Sequence, residues 1–240
     1  MNIAVILAGG GGNRAGGALP KQFWDLAGKT VVERAIAAFD RHPGIDEIAV
    51  VISVAQRRRM EEILARNPCR KSCKILLGGK ERFDSTLAAY HAYESHPGAS
   101  LLFHDAARPR VSQRIISDVV AALRECEAVN VAVPAVDSFL GVNSAKTLVT
   151  DYPDRNLLQR GQSPQAFRVS LISKLLGILK SEGREGGDIC AEILRRIPSA
   201  KIHLVKGEES NMKLTYNDDI HLLETWVRIA ESDLEGGDQK

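Results

Sequence analysis

Apolar residues in the first part of the chain fall into short, nearly continuous runs, the pattern of strands that are buried on both faces of a sheet. The runs are NIAVIL (2–7), EIAVVIS (47–53), CKILL (73–77), SLLFH (100–104) and VNVAVPAV (129–136). The segments between them carry apolar residues at helical spacing, at 30–42, 55–67, 82–95 and 112–126. This alternation predicts an α/β fold with a Rossmann-like, doubly wound, mostly parallel sheet and right-handed crossovers.

The pattern changes after position 136. Residues 137–165 contain short β-like pieces and turn residues but no complete helix, so we expect a protruding β-arm there. Regular patterns then resume, with a helix from about 169, a helix at 189–196, a strand at 201–207 and a last helix from about 218. We expect one domain over 1–230, and a polar tail at 231–240 that frays.

Composition narrows the class of protein. The 240 residues are 44% hydrophobic, which is enough to form a full core in one domain. A net charge of +2 gives no sign of a nucleic-acid partner. No apolar run approaches the ~20 residues that span a membrane, and no secretory signal is present, so we expect a cytoplasmic protein with reduced thiols and no membrane partner. The four cysteines lack the paired spacing of a zinc site.

A glycine-rich loop begins where the first predicted strand ends, in AVILAGGGGNRAGGALPKQF (4–23). Parallel sheets bind ligands at the carboxyl ends of their strands, and glycines let backbone N–H groups approach anionic oxygens. Arg14 and Lys21 follow the glycines, so the open loop suits a triphosphate whose charge the two cations neutralise as pyrophosphate leaves. The alternative is a glycine-rich turn with solvated cations.

Two familiar phosphate motifs do not fit this loop. GGGNRA (10–15) matches the permissive dinucleotide pattern, but a Rossmann turn should run directly into a helix, and here GGALPKQ follows. GKT (28–30) resembles the end of a P-loop, but Phe23 stands five residues before Gly28, where a P-loop requires glycine. The loop is therefore a different kind of phosphate site.

Two later motifs belong to the same edge of the predicted sheet. HDAARP (104–109) follows the strand at 100–104, which brings Asp105 and Arg108 beside the glycine loop. Mg²⁺ takes oxygen ligands from one or two carboxylates plus phosphates, so Asp105 is the expected magnesium ligand, with turn capping as the alternative. GGKERFDST (78–86) precedes a helix, and Asp84 or Ser85 could cap that helix instead of contacting a ligand. We interpret His104, at the end of a strand, as structural.

These motifs, together with GQSPQAF (161–167) and GEESNMKLT (207–215), resemble those of the polyol-phosphate cytidylyltransferases in order and spacing, over about residues 2–225. That family couples CTP to small polyol phosphates and includes the ribitol-5-phosphate and 2-C-methyl-D-erythritol 4-phosphate enzymes. The resemblance implies Mg²⁺ as cofactor and a homodimer formed through 137–165. It implies that the catalytic residues are Arg14, Lys21 and Lys213. It assigns the nucleotide to Leu7, Ala8, Gly9, Gly10, Gly11, Gly12, Gly79, Lys80, Ser85 and Ala106. It assigns the polyol phosphate to Asp105, Arg108, Ser138 and Arg155, and the metal to Asp105.

The acceptor is suggested by the arm. TDYPDRNLLQRGQSPQAF (150–167) resembles the ribitol-phosphate branch, and DSFLGV (137–142) lacks the lysine usual in the erythritol-phosphate branch. HDAARP fits the erythritol-phosphate branch at least as well, so that acceptor is the alternative. A nucleotide-binding protein without catalysis is a further alternative. An NAD(P)-dependent oxidoreductase would need an acidic ribose ligand after strand 47–53, where SVAQRRR offers none.

Overall fold

The structure is a computed structural model that describes residues 1–10, 19–79 and 81–237, with the backbone alone for 231–237. Its strands are β1 (Asn2–Leu7), β2 (Asp25–Leu26), β3 (Lys29–Thr30), β4 (Glu47–Ile52), β5 (Ser72–Leu77), β6 (Ser100–Asp105), β7 (Ala128–Pro134), β8 (Gly141–Val142), β9 (Val149–Asp151), β10 (Gln159–Arg168) and β11 (Ile202–Lys206). Its α-helices are α1 (Val31–Asp40), α2 (Arg57–Arg66), α3 (Arg82–Tyr93), α4 (Gln113–Ala122), α5 (Val169–Ser181), α6 (Ile189–Arg196) and α7 (Asp219–Gly237).

Among the described residues, the central sheet has seven strands in the order β11-β7-β10-β6-β1-β4-β5. All of them run in one direction except β10, which pairs antiparallel with both β6 and β7. The mostly parallel α/β sheet predicted from the apolar runs is therefore confirmed. None of the described helices is long and apolar enough to cross a membrane.

Strand β10 is where the sequence-based prediction was wrong. Residues 159–165, which the sequence places in the arm, form the first part of a strand inside the sheet. The sequence QRGQSPQAFR has no apolar run, because its buried middle is polar: Gln162 and Ser163 lie inside the protein with hydrogen-bond partners on neighbouring elements. A buried polar strand of this kind gives no hydrophobic signal.

The arm itself is shorter than predicted. It leaves the sheet after β7 and returns at β10, and within it β8 and β9 pair antiparallel as a small separate ribbon. Residues 155–157 add one turn of 3₁₀-helix before β10 begins. The protruding β-arm is thus present over about 135–158.

Helices cover both faces of the sheet, as a doubly wound fold requires. One core cluster joins the sheet to α1, α2 and α4 through residues such as Ile36, Ile63 and Ile115. The opposite cluster joins it to α3, α5 and α6, with Tyr93 and Leu175 fully buried. The sheet edge that carries the loops is therefore held rigidly from both sides.

The chain end differs from the expectation of a frayed tail from position 231. Helix α7 continues to Gly237. Its buried Leu223 and Val227 pack with Leu26 and Leu214 in a third, smaller cluster. This packing anchors the first half of α7, and the helix continues through the polar residues to Gly237.

The GKT segment has a structural role, in agreement with its rejection as a P-loop. Thr30 is the N-cap of α1 and accepts a hydrogen bond from the Glu33 backbone N–H, while the Glu33 carboxylate accepts one from Thr30 N at 2.7 Å. This reciprocal arrangement is a capping box, which satisfies N–H groups at the helix start.

Candidate active site

The loops that follow β1, β4, β5 and β6 meet at one edge of the sheet. Backbone hydrogen bonds continue past the strand ends, from Ala8 N to Val51 O at 2.8 Å, from Gly78 N to Ile52 O at 2.9 Å and from Ala106 N to Leu7 O at 3.1 Å. A cavity of about 400 Å³ opens above them. It lies at the carboxyl ends of parallel strands, where α/β sheets bind their ligands.

Most of the predicted nucleotide-binding residues line this cavity. They are Leu7, Ala8, Gly9, Gly10, Gly79, Ser85 and Ala106. Gly11, Gly12, Arg14 and Lys80 lie outside the described residues. The cavity is also lined by Gln22, Glu81, Arg82, Asp105, Ala107 and Lys213. The structure therefore brings the glycine loop, the 78–86 motif, HDAARP and Lys213 to a single place.

Gln22, which the sequence analysis did not select, holds the start of the glycine loop. Its side-chain amide donates to Ala8 O at 2.8 Å and to Gly10 O at 3.1 Å, and the residue is buried. Those two carbonyls are thereby occupied from inside the protein. Gln22 follows Lys21 in the same quoted motif, but a sequence does not show which neighbour reaches the loop.

The 78–86 motif contains both of the roles considered for it. Asp84 caps α3: its carboxylate accepts from Glu81 N at 2.9 Å, in a capping box with Glu81. Ser85 instead faces the cavity, and a Cβ added to Gly78 would lie 2.6 Å from its Oγ. A side chain at position 78 would therefore force Ser85 or Val51 to move.

Asp105 is the centre of a cluster of cations. One carboxylate oxygen accepts from Arg82 Nη1 at 2.5 Å and the other from Lys213 Nζ at 3.0 Å, while Arg108 Nε lies 3.7 Å away. Burial opposes ionisation of this carboxyl, but Arg82 and Lys213 outweigh burial and hold the pKa of Asp105 well below its usual range. Asp105 is therefore an anion that positions cations at the cavity.

Arg82 was not predicted as a site residue. It is the first residue of α3, and its Nη2 also reaches Gln165 Oε1 on β10 at 3.4 Å. A usable signal was its place at the end of GGKER, where a helix begins at the loop-bearing edge of the sheet. A cationic side chain at that position lies beside the edge of the sheet where ligands bind.

His104 has the structural role that the sequence indicated. Desolvation lowers its pKa to about 4, so the fully buried ring is neutral at physiological pH. Nε2 lies 2.9 Å from Arg108 O, which only accepts, so Nε2 carries the proton and Nδ1 accepts from Ser163 Oγ at 3.0 Å. The same Oγ accepts from Asp105 N at 3.1 Å. This chain of bonds fixes the HDAARP turn against β10.

Arg108 lies in a second cavity of about 340 Å³ next to the first. Its Nη1 donates to Asn211 O at 2.7 Å and its Nη2 to Gly161 O at 3.4 Å, which ties HDAARP to both β10 and the 207–213 loop. Lys213 lines both cavities. The two cavities are therefore adjacent and share Lys213, whose Nζ contacts Asp105 of the first cavity.

Lys21, which the sequence predicts to face a ligand, lies inside the protein. It is buried, and its Nζ donates to the backbone oxygen of Thr215. It is not among the residues that line either cavity. The side chain is thus buried and not exposed as expected, and its contact with a triphosphate stays a prediction.

The two predicted arm residues are also absent from the cavities of their own chain. Ser138 and Arg155 are exposed, and Arg155 Nη1 contacts only Val136 O, at 3.4 Å, among the described residues. A single chain thus does not bring them to Asp105 and Arg108. Their predicted contact with the polyol phosphate requires the arm of a second copy, and it stays a prediction.

The carboxylates that line the cavity determine how the expected magnesium ion could be held. Both oxygens of Asp105 already contact cations, and the described residues contain no group of three or more His, Cys, Asp or Glu side chains able to hold a metal. Asp105 and Glu81 are the carboxylates on the cavity wall. Such a wall fits a Mg²⁺ ion held mainly by phosphate oxygens, with no more than one or two carboxylate contacts.

A doubly wound sheet with a glycine loop, a buried carboxylate among three cations and two joined cavities defines an enzyme of the nucleotidyltransferase class. The family model described as "IspD: 2-C-methyl-D-erythritol 4-phosphate cytidylyltransferase" matches residues 2–229. The chain belongs to this family of cytidylyltransferases.

Similar curated proteins include both acceptor types. The 2-C-methyl-D-erythritol 4-phosphate cytidylyltransferase of Thermobifida fusca is 40% identical over 95% of this chain and 93% of its own. The bifunctional ribulose 5-phosphate reductase/CDP-ribitol pyrophosphorylase Bcs1 of Haemophilus influenzae is 40% identical over 92% of this chain, which spans only 47% of that protein. The ribitol-5-phosphate cytidylyltransferase of Lactiplantibacillus plantarum is 32% identical over 95% and 98% of the two chains.

A solved structure shows the same fold. The 4-diphosphocytidyl-2C-methyl-D-erythritol synthase of Anaerococcus prevotii superposes with a TM-score of 0.81 at 25% identity, and covers 95% of this chain and 96% of its own. The fold class is therefore that of the family.

Proposed function

We propose that this protein transfers CMP from CTP to ribitol 5-phosphate, releasing pyrophosphate and forming CDP-ribitol. The observation that carries the transfer is the pair of adjacent cavities that share Lys213. The nucleotide occupies the cavity lined by the glycine loop, and the polyol phosphate occupies the cavity lined by Arg108. Their reacting phosphates then meet at Lys213.

The chemistry needs positioning and charge neutralisation. The acceptor is a phosphate monoester with a second pKa of about 6, so it is largely a dianion at neutral pH and its oxygen can attack the α-phosphorus directly. Asp105, held ionised, and His104, neutral and enclosed, are not proton carriers at this pH. Lys213 and Arg82 stabilise the charge that develops as pyrophosphate departs in line.

The loop cations and magnesium complete the proposed site. Arg14 and Lys21 are assigned to the triphosphate, and Lys21 reaches it only after its bond to Thr215 O breaks. Mg²⁺, when bound through the phosphates and Asp105, supplies further positive charge at the triphosphate.

Ribitol 5-phosphate is favoured as acceptor by the arm sequence and by the two relatives named for ribitol chemistry. The second candidate is 2-C-methyl-D-erythritol 4-phosphate, which is favoured by the family description and by the Thermobifida fusca relative. We also propose a homodimer in which the arm of one copy carries Arg155 to the acceptor cavity of the other. The exposed apolar side chains of the arm support this arrangement.

The deciding experiment measures pyrophosphate release from CTP and Mg²⁺ with each polyol phosphate in parallel, and identifies the product by mass spectrometry. We expect CDP-ribitol and a kcat/KM at least tenfold higher with ribitol 5-phosphate. Turnover with the erythritol phosphate alone would replace the acceptor assignment, and no turnover with either would remove the function.

A further inference from the structure

The acceptor cavity contains a second arginine that neither the motifs nor the family resemblance selected. Arg160, on β10, lines the cavity together with Arg108 and Lys213. Its Nη2 contacts both carboxylate oxygens of Glu209 at 2.6 Å. One nitrogen thus makes the whole ion pair, and the rest of the guanidinium is not used by it.

Two buried donors beside this cavity make no hydrogen bond. They are Nε of Arg108 and Nε of Arg160, within the described part of the chain, and Arg108 Nε has only the ionic contact with Asp105 Oδ2 at 3.7 Å. An unsatisfied buried donor on a charged group is costly, so native structures rarely retain one without a ligand or water to fill it. Both guanidinium groups line the cavity with charge that is only partly paired, which favours an anion there.

The charges of the cavity agree with that requirement. Asp219 Oδ2 is engaged by the backbone N–H groups of Thr215 and Tyr216, at 2.6 and 2.7 Å. Glu209 is mostly exposed and makes its ion pair at the surface. The cavity therefore presents Arg108, Arg160 and Lys213 to an incoming anion, with Glu209 as the carboxylate that must yield.

We infer that Arg160 is an acceptor-binding residue that contacts the phosphate of the acceptor opposite Arg108, and that Glu209 is its counter-ion when no acceptor is bound. A guanidinium presents its N–H groups in a fork that matches phosphate oxygens, so Arg160 changes partner from carboxylate to phosphate without losing charge pairing. This inference rests on the proposed function, because it assumes a polyol phosphate as the ligand. It assigns an acceptor contact to the chain's own β10, in addition to the arm of a second copy.

The test is a pair of substitutions with effects of opposite sign. Arg160→Gln removes the phosphate contact, and we expect the KM for the polyol phosphate to rise roughly 10- to 100-fold while the KM for CTP changes less than about threefold. Glu209→Gln removes the competing carboxylate, and we expect the acceptor KM to fall about two- to fivefold. A purely structural ion pair would give changes of the same sign, which would overturn the inference.

Controls separate charge loss from binding. Arg57 and Glu61 form a comparably exposed ion pair on α2, and Arg57→Gln and Glu61→Gln should leave the acceptor KM unchanged. Arg160→Lys keeps the charge without the fork and should recover part of the affinity. An acceptor KM that is unaffected in Arg160→Gln, or a CTP KM that rises equally, would contradict the assignment.

Calorimetric titration with each polyol phosphate distinguishes failure of the inference from failure of the proposed function. If the wild type releases no pyrophosphate with either acceptor, the proposed function fails, and binding alone decides the role of Arg160. Binding that is weakened in Arg160→Gln supports the anion site. Equal binding in both proteins, or none to the wild type, overturns it.

Discussion

The Asp105 edge of the sheet and the arm at 135–158 differ in whether their side chains find partners within the chain. At the edge, Asp105, His104 and Ser163 are buried polar groups, and each has partners on another element. On the arm, large apolar side chains lie in solvent: Val136, Phe139, Leu140, Val142, Leu148, Val149, Tyr152 and Leu157. One chain completes the first region by itself and leaves the second uncovered.

Because of this difference, the edge and the arm should respond to different kinds of substitution. Changes at the edge should act through charge and hydrogen bonds inside one chain, where low polarity makes a missing partner expensive. Changes on the arm should act through whatever covers its apolar surface. These two kinds of response can be distinguished by comparing each variant with a matched change elsewhere in the chain.

The largest effect is expected from Lys213→Gln at the junction of the two cavities. Loss of one preorganised cation at a developing charge should lower kcat for pyrophosphate release by roughly 100- to 1,000-fold. The substitution also removes one cationic partner of the buried Asp105, so the unfolding free energy should fall as well, although Arg82 still pairs with that carboxylate. Steady-state kinetics with a thermal unfolding curve measures both.

Lys74→Gln is the matched control for that change. Lys74 pairs with Glu47 at 2.6 Å and is 52% exposed, but it lies on β5 and lines neither cavity. It should leave kcat within about twofold of wild type, as expected for a surface charge. Equal losses in the two variants would mean that net charge, and not the position of Lys213, sets the rate.

His104 should make the edge sensitive to acid. Its pKa is lowered from 6.5 to about 4 by burial, so below pH 6.5 the unfolded chain binds a proton that the folded chain does not. Stability therefore rises with pH across this window and is lost as pH falls toward 4. Between pH 7.5 and 5, this residue alone should cost roughly 2 kcal/mol of the free energy of unfolding.

Urea unfolding of the His104→Gln variant at both pH values isolates that contribution. The variant should be less stable throughout, but its loss between pH 7.5 and 5 should be smaller than that of wild type by about 2 kcal/mol. Phe39→Leu, which alters the ring that packs on His104 at 5.0 Å, should reduce stability at both pH values and keep the full pH dependence. An unchanged pH dependence in His104→Gln would show that the buried ring is not the acid-sensitive group.

The sequence predicted the parallel strands, the helices and most of the loops that line the cavity at the ends of β1, β4, β5 and β6, because these depend on local signals. Apolar runs mark β1, β4 and β6, and glycines or a charged motif directly follow each strand end. Parallel strands place their carboxyl ends together, so residues that are far apart in sequence, such as Gly9 and Asp105, could be brought to one edge.

The same signals could not find β10, the orientation of Lys21, or Arg160. Strand β10 is buried through hydrogen bonds made by Gln162 and Ser163, and those partners are more than 40 residues away in sequence. Lys21 is fixed by a backbone oxygen 194 residues away. Arg160 looks like a surface arginine until the cavity around it is seen. Each case depends on a long-range polar contact, which leaves no periodic pattern.

The arm should give the smallest effect on the fold and a clear effect on association. Leu148 and Leu157 are 66% and 82% exposed, so replacing both with Asp removes little packing within the chain. The unfolding free energy of the monomer should change by less than about 0.5 kcal/mol. If the arm pairs two copies, sedimentation should show wild type as a dimer and this variant as a monomer, with the acceptor KM raised because Arg155 no longer reaches the neighbouring site.

Val54→Asp separates the arm from apolar exposure in general. Val54 is 70% exposed and lies after β4, outside the arm, so its replacement should leave the dimer intact. A wild-type chain that sediments as a monomer at all concentrations would refute the dimer and leave the arm's apolar face to another partner. A dimer that survives the double substitution would place the interface elsewhere. In either case, Arg160 and Arg108 would be the guanidinium groups that one chain provides for its own acceptor.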